Sequence, residues 1–465
     1  MAMTVLPAGG TPVAGLRRAL FAGCAGNAME WYDFALFGAA TTILAAVLVP
    51  GGWDGFIAVF AVFATSCLVR PLGSLLIGAR ADRSGRRPVL AATILLMALA
   101  TFSIGVLPPW SVIGLAAPLC LLGLRSVQAF SAGGEIGVSV AYLTEVSPPG
   151  RRGRTGGWYL SSLACGVALG LGVTALMTGL LDAQNLMAWG WRIPFLLALP
   201  LGVVGWYLRR RVAESPVFVP TQQRVRPGLA WRSHRSTVLR CFLLAGAFSA
   251  VFNVWFMFLP AYLTATGVGS LAWSLTGALV GLGALAVAAP MFGVVSDRVG
   301  RRPVLMGATL AVAVTIVPLY SWLLSGSRSA LLIGNGVIGV IVAAFVLPAF
   351  LAEQFPNRVR ATGIGLAYGI GSAVIGGTAP LLATVLSRQM PTLVPGYLVV
   401  WAILGLGAVA LSSERRSFPT CPGSGTGPPP SHVAPTGSCV RPAAHSDRGV
   451  WADCPPPSSF RSFLH

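Results

Sequence analysis

GARADRSGRRPVL, Gly78 to Leu90, returns later in the chain as GVVSDRVGRRPVL, Gly293 to Leu305, with G-x-x-x-D-R-x-G-R-R-P-V-L at identical spacing. The two aspartates, Asp82 and Asp297, are 297 − 82 = 215 positions apart, close to half of the apolar part of the chain. Each copy reads as a short, arginine-dense interruption between two long apolar runs. Glycines such as Gly78, Gly85 and Gly300 let one helix end tightly and pack closely against another. The aspartate can sit near a helix terminus or pair with arginine (Arg83 and Arg86, Arg298 and Arg301), and the clustered arginines favour the bilayer face rich in anionic lipid. A single such loop would be a topogenic anchor. Two at matched positions predict a duplicated fold.

Composition points the same way. The chain is 55% hydrophobic and 10% charged, with a mean hydropathy of +0.76, outside the usual range of soluble globular proteins. All 32 basic residues are arginine and the net charge is +19. These arginines stand mostly in short segments between apolar runs. That placement fits the positive-inside rule better than a phosphate-reading surface, so the expected surroundings are a lipid bilayer and no nucleic acid.

Twelve runs have the length to cross a bilayer. They are approximately 19–49, 55–79, 88–107, 112–146, 155–181 and 190–208, then 238–264, 271–296, 303–324, 329–353, 359–387 and 394–412. The expected fold is therefore an all-α integral membrane protein with twelve transmembrane helices in two pseudo-symmetric six-helix halves. Residues 1–18 form a lead-in, 19–208 the first half, 209–237 a basic linker, 238–414 the second half and 415–465 a tail. The tail is rich in Pro, Gly and Ser and is expected to stay disordered. Arg17, Arg80, Arg83, Arg86, Arg87, Arg151, Arg152, Arg154, Arg298, Arg301, Arg302, Arg360 and the Arg209–Arg211 run fall on one side, against mainly Arg328 and Arg388 on the other. Both termini are thus expected in the cytoplasm, and the protein in the cytoplasmic membrane. The four histidines lie outside the deep spans and no Walker-type loop occurs. Neither a metal, a cofactor nor ATP is expected, nor is enzymatic turnover.

Charges inside a span are costly and must face a partner or a water-filled cavity. In GNAMEWYDFALFG, Glu30 and Asp33 share one helical face about 15–20 Å into the span. They read as a proton-accepting pair, or as a structural pair neutralised by arginine. In LLGLRSVQAFSAGGE, Arg125 is the cation at comparable depth, with Gln128 one turn on and Glu135 nearer the cytoplasm. Burial raises a carboxylate's pKa and an adjacent arginine lowers it, so a changing separation could load and release a proton. Asp33 is the first candidate carrier, Glu30 the second, and Arg125 the modulating charge. Gln128, Glu135 and Asn253 are candidates for the polar pathway, with Trp158, Tyr159, Trp255 and Tyr262 as weaker candidates for its wall. Arg70, placed near the cytoplasmic portion of the second span, reads as a structural salt bridge or carbonyl clamp. AYLTEVSPPGRR and AFLAEQFPNRVR form a second echo, whose Glu145 and Glu353 are expected to join a structural charge network with the repeated loops.

On these residues the chain resembles the major facilitator superfamily, in its metabolite:proton symporter branch, from about Gly23 to Leu411. GARADRSGRR and GVVSDRVGRR resemble the superfamily's signature loops, and LRSVQAF its R-x-x-Q-G motif, with Ala129 in place of the glycine. GNAMEWYDFALFG, RPLGSLLIGARADR, FSAGGEIGVSVAYLTEVSPPGRRG, WGWRIPFLLALPLG and PNRVRATGIGLAYGIGSAVIGG carry the branch pattern. FLLALPLGVVGWYLRRRVAESPVF resembles the proline/glycine-betaine subgroup, whose charged coiled coil has no counterpart in Ser417 to His465. The resemblance implies a secondary transporter that takes up a small polar metabolite, such as an organic acid or a zwitterionic osmolyte, together with protons. A proton-coupled exporter or uniporter of the same fold, or a nontransporting membrane sensor, are the competing readings. The repeated loops would act as conformational latches as the halves rock. Oligomeric state is not legible.

Overall fold

A backbone in hydrocarbon has to satisfy its own polar groups, and helices do so within one segment. All regular structure among the described residues of the computed structural model is helical; these residues are 12–49, 51, 53–148, 150–211, 228–356 and 359–412. The first half contains α1 (Leu16–Ala39 and, after a 62° bend, Thr41–Leu48), α2 (Ile57–Ser84), α3 (Arg86–Gly105), α4 (Ala116–Val146), α5 (Arg152–Leu180) and α6 (Ala183–Arg210). The second contains α7 (His234–Ala265), α8 (Leu271–Val299), α9 (Arg301–Leu323), α10 (Ala330–Gln354), α11 (Arg360–Gln389) and α12 (Leu393–Ala410). Eleven of these are long and apolar enough to cross a membrane when bent α1 is taken as one. The twelfth, α4, has the length at 31 residues, and its lower hydropathy comes from Arg125, Gln128, Glu135 and Glu145.

The boundaries revise the expected ones in three places. Helix begins at Pro12, ahead of Ala19. It resumes at Gly228, inside the expected linker, with one non-helical residue at His234 (φ −133°, ψ 28°). The rest of that linker, 212–227, and the tail from 413 onward lie outside the described residues. The repeated motif, expected as an interhelical interruption, is itself helical on both sides of a single glycine. Gly85 (φ 98°, ψ 162°) separates α2 from α3, and Gly300 (φ 102°, ψ 161°) separates α8 from α9. That backbone is strained for any residue with a Cβ, so a single glycine turns the chain in place of the expected short interruption. Pro88 and Pro303 follow in the first turn, where a missing N–H costs no helical hydrogen bond.

Halves meet through small residues at the arginine-rich end. A Cβ on Gly293 would stand 2.4 Å from the carbonyl oxygen of Gly153, and one on Gly153 would stand 2.5 Å from that of Gly293. α5 and α8 therefore cross backbone against backbone there. Deeper in the bundle an aromatic layer bridges the halves: the Trp31 ring of α1 meets the Phe252 ring of α7 edge-on at 5.2 Å. Exposed Val287, Met291, Val314 and Leu76 cover the outer surface, as expected of side chains that face lipid.

Among the described residues four spans carry a π turn: Leu186–Gly190 in α6, Val254–Phe258 in α7, Ala330–Gly334 in α10 and Ser372–Gly376 in α11. α2 is broken after Cys67, and its second helix starts at Arg70. Counting 1.5 Å per residue back from Ser84 places Arg70 roughly 20 Å from the arginine-rich end. This corrects its expected position. Arg70 lies mid-bundle.

Candidate functional site

α1 presents Glu30, Asp33, Phe34 and Phe37 at helical spacing toward the interior. Thr101 of α3 donates its hydroxyl to Asp33 Oδ1. Gln128 of α4 donates Nε2 to the same oxygen at 2.7 Å and to Thr101 Oγ1 at 2.8 Å. Arg125 Nη1 donates to Gln128 Oε1 at 2.7 Å and stands 3.7 Å from Asp33 Oδ2. Asp33 is 2% exposed and Arg125 1%. The guanidinium also lies over the Phe37 ring at 4.4 Å, with the rings of Phe34 and Phe63 each at 5.3 Å. Oδ2 receives no hydrogen bond, so the arginine holds it by charge alone. A narrow crevice between α1, α3 and α6, lined by Met29, Tyr32, Met97 and Thr101, reaches this carboxylate. Asp33, Arg125 and Gln128 are thus brought together as expected. Thr101 was not foreseen, because a single threonine in an apolar run carries no signal.

Glu30 takes a different environment from Asp33, although the two share a face. It is 4% exposed and its Oε2 has no hydrogen-bond partner. The charges that face it are Glu135, Arg70, Arg209 and Asp33. Glu135 is not beside Gln128 in an open pathway. Arg209 of α6 donates Nη2 to its Oε1, Thr93 of α3 donates to Oε2 at 3.2 Å, and Arg209 Nη1 reaches the Leu90 carbonyl oxygen at 2.8 Å. Thr101–Gln128 and Thr93–Glu135 are successive rungs of one α3–α4 seam, two turns apart. Arg209 was hidden in a run read as topogenic.

Arg70 forms neither of its expected contacts, a salt bridge or a carbonyl clamp. Its Nη1 donates to Ser372 Oγ of α11 at 3.0 Å, and its guanidinium lies 4.3 Å above the Phe34 ring. Nε and Nη2 have no acceptor. Asn253 of α7 donates to the Gly376 carbonyl oxygen at 3.0 Å, and its Oδ1 is unpartnered. Trp255 donates to Asn335 Oδ1 at 3.0 Å. Tyr159 and Tyr262 are buried, whereas Trp158 is 45% exposed and turned out of the bundle.

The repeated loops are bound across the halves, differently in each copy. Thr362 of α11 donates to Asp82 Oδ2 at 2.5 Å, while Arg86 holds Oδ1. Asp297 instead accepts the backbone N–H groups of Gly153 and Arg154, each at 2.8 Å, with Arg301 Nη2 2.7 Å from Oδ1. These two N–H groups lie in the first turn of α5, where they lack helical acceptors and carry the positive end of the dipole. Arg86 reaches Glu145 at 3.3 Å, Arg301 reaches Glu353 at 3.2 Å, and Arg360 stands 3.8 Å from Glu145. Glu145 and Glu353 thus join the network as expected. Gly78 packs against Thr362, and Arg83 and Arg298 are exposed. Thr362 and the α5 amides were not foreseen.

Comparison with known proteins places this geometry. Residues 24–288 match the Major Facilitator Superfamily. The chain is 33% identical to the glycine betaine/proline/ectoine/pipecolic acid transporter OusA of Dickeya dadantii, over 87% of this chain and 84% of that protein. It is also 33% identical to the proline/betaine transporter of Escherichia coli strain K12, over 87% of this chain and 85% of that one. Among solved structures, the proton:xylose symporter XylE bound to 6-bromo-6-deoxy-D-glucose superposes with a TM-score of 0.70 at 16% identity, covering 86% of this chain and 95% of XylE. That likeness is one of fold. Two six-helix halves, the doubled loop and these relatives together establish that the chain is a multi-pass membrane transporter belonging to the major facilitator superfamily, in the branch of the proline/betaine transporters.

Proposed function

We propose that the protein is a proton-coupled symporter that imports a small zwitterionic osmolyte, such as glycine betaine or proline, by alternating access in the bacterial cytoplasmic membrane, with both termini cytoplasmic. The observation that carries the proton coupling is the Asp33 carboxylate, buried mid-bundle with Arg125 held against it by charge alone. Protonation cancels the attraction on Oδ2, while Thr101 and Gln128 keep the side chain in place through Oδ1. Arg125 then retains Gln128 and three aromatic faces, so it can move without being left unpaired. Glu30 is the second candidate carrier. The substrates for which the relatives are named support a zwitterion rather than a sugar. Proteoliposomes given glycine betaine outside are expected to acidify inside. Uptake that persists unchanged after the proton gradient is collapsed would mark a uniporter, and substrate-driven proton movement in the opposite direction an exporter.

Asp82 and Asp297 act in this reading as latches that hold the arginine-rich end closed. Thr362→Val removes the cross-half donor to Asp82 and should reproduce Asp82→Asn: normal insertion, slower transport and greater labelling of cysteines introduced at the arginine-rich end. A net hydrogen bond to a charged group is worth about 1.5–3 kcal/mol, enough to shift the balance between two closely matched states by tenfold or more. Thr362→Ser keeps the donor and should behave as wild type. Wild-type flux and labelling in both Asp82→Asn and Asp297→Asn would eliminate the latch.

A further inference from the structure

Six arginines are buried among the described residues, and five of them, Arg86, Arg125, Arg209, Arg301 and Arg360, form ion pairs with carboxylates. Arg70 does not. It is 5% exposed, stands mid-bundle at the meeting of α1, α2 and α11, and spends only Nη1 on a protein acceptor, the Ser372 hydroxyl. The two nitrogens left over are not an arbitrary pair. Nε–H and Nη2–H lie along one edge of the guanidinium and point the same way, which is the fork that grips both oxygens of a carboxylate. The Phe34 ring at 4.3 Å fixes the plane of that fork.

Resting on the zwitterion reading above, we infer that Arg70 is the anchor for the substrate's carboxylate, with its Nε–Nη2 edge making the bidentate contact and Ser372 positioning the guanidinium from the opposite half. The surroundings suit the other end of the same molecule. Phe34 continues into Trp31 at 5.5 Å and Phe252 at 5.2 Å from Trp31, a run of ring faces and edges contributed by both halves. Alkylated ammonium groups are held by such faces. Glu30 is also near enough to Arg70 to interact with it electrostatically, without an ion pair between them. A buried guanidinium with no acid is costly, and a bound carboxylate removes that cost once in each cycle. Because Ser372 and Phe252 come from the second half while Arg70, Phe34 and Trp31 come from the first, the ligand would join the halves at mid-membrane.

The test is titration of the purified full-length protein with glycine betaine and with choline, which keeps the quaternary ammonium and lacks the carboxylate. Arg70→Gln is expected to weaken glycine betaine about a hundredfold, and Arg70→Lys about tenfold because a point charge cannot present the fork. Choline is expected to bind wild type and Arg70→Gln alike. If Arg70→Gln weakens both ligands equally, Arg70 is only structural and the anchor is overturned. It is equally overturned if glycine betaine binding survives in Arg70→Gln. Should Arg70→Gln fail to fold, the wild type and Arg70→Lys decide: choline binding as tightly as glycine betaine, or Arg70→Lys binding glycine betaine as wild type does, overturns it. A wild type that binds glycine betaine, proline and ectoine not at all overturns the zwitterion reading together with the anchor, whereas wild-type binding that ignores Arg70 overturns the anchor alone.

Discussion

Asp33→Asn is expected to abolish uphill accumulation of substrate in proteoliposomes while exchange of internal for external substrate continues. Asparagine is a permanent copy of the protonated acid in size and charge. Its Oδ1 can still accept from Thr101 and Gln128, and Arg125 keeps Gln128 and the Phe37 face. Only the ionised state is lost, and with it the step that ties substrate movement to the proton gradient. Exchange needs the loaded carrier alone, so it separates loss of coupling from loss of folding or binding. Glu30→Gln is expected to have the smaller effect, since Glu30 lacks an arginine in ion-pair contact. Normal proton-driven accumulation in both variants at wild-type expression would sink the assignment of either acid as carrier.

Arg209→Met is expected to destabilise the bundle by about 3–5 kcal/mol, because it strands a buried carboxylate. Glu135 is 1% exposed and would keep only the Thr93 hydroxyl. Adding Glu135→Leu removes the stranded charge, and replacing a buried pair by apolar groups is often neutral, so the double variant should recover most of the melting temperature. The same double variant decides what Glu135 is for. Recovery of stability with intact proton coupling makes the pair structural. Recovery with coupling lost would return Glu135 to the proton pathway, and an Arg209→Met protein as stable as wild type would show that the pair bears little weight.

What could be read in the sequence followed from periodicity and repetition. Apolar runs of bilayer length and the doubled G-x-x-x-D-R-x-G-R-R-P-V-L give the twelve helices, and a glutamate with an aspartate three positions on gives two acids on one face. Depth was less legible. Arg70 looked close to the basic loop because the apolar run reads as ending near residue 79, whereas its helix continues to Ser84 and sets Arg70 deeper. Partners across the bundle were the least legible. Arg209, Thr101 and Thr362 earn their places only once α6, α3 and α11 are set against α4, α1 and α2, and no spacing within one helix encodes that. The two copies of the motif also show where duplication stops. Their glycines agree to within a few degrees, yet one aspartate binds a hydroxyl and the other a helix end.

The π turns bear on how the second half deforms. A π turn holds one extra residue in its helix, and it can migrate along the helix by exchanging one hydrogen-bond acceptor at a time, turning each residue it passes by about 100°. Three of the four belong to α7, α10 and α11, and the one in α11 contains both Ser372 and Gly376, the residues that meet Arg70 and Asn253. Among the described residues the deeply buried acids, Glu30, Asp33, Asp82 and Glu135, all lie in the first half. The two halves, alike in plan, therefore divide their features unequally: the first holds the buried charge, and the second holds three of the four π turns, through which an inner helical face could be re-aimed without unwinding a helix.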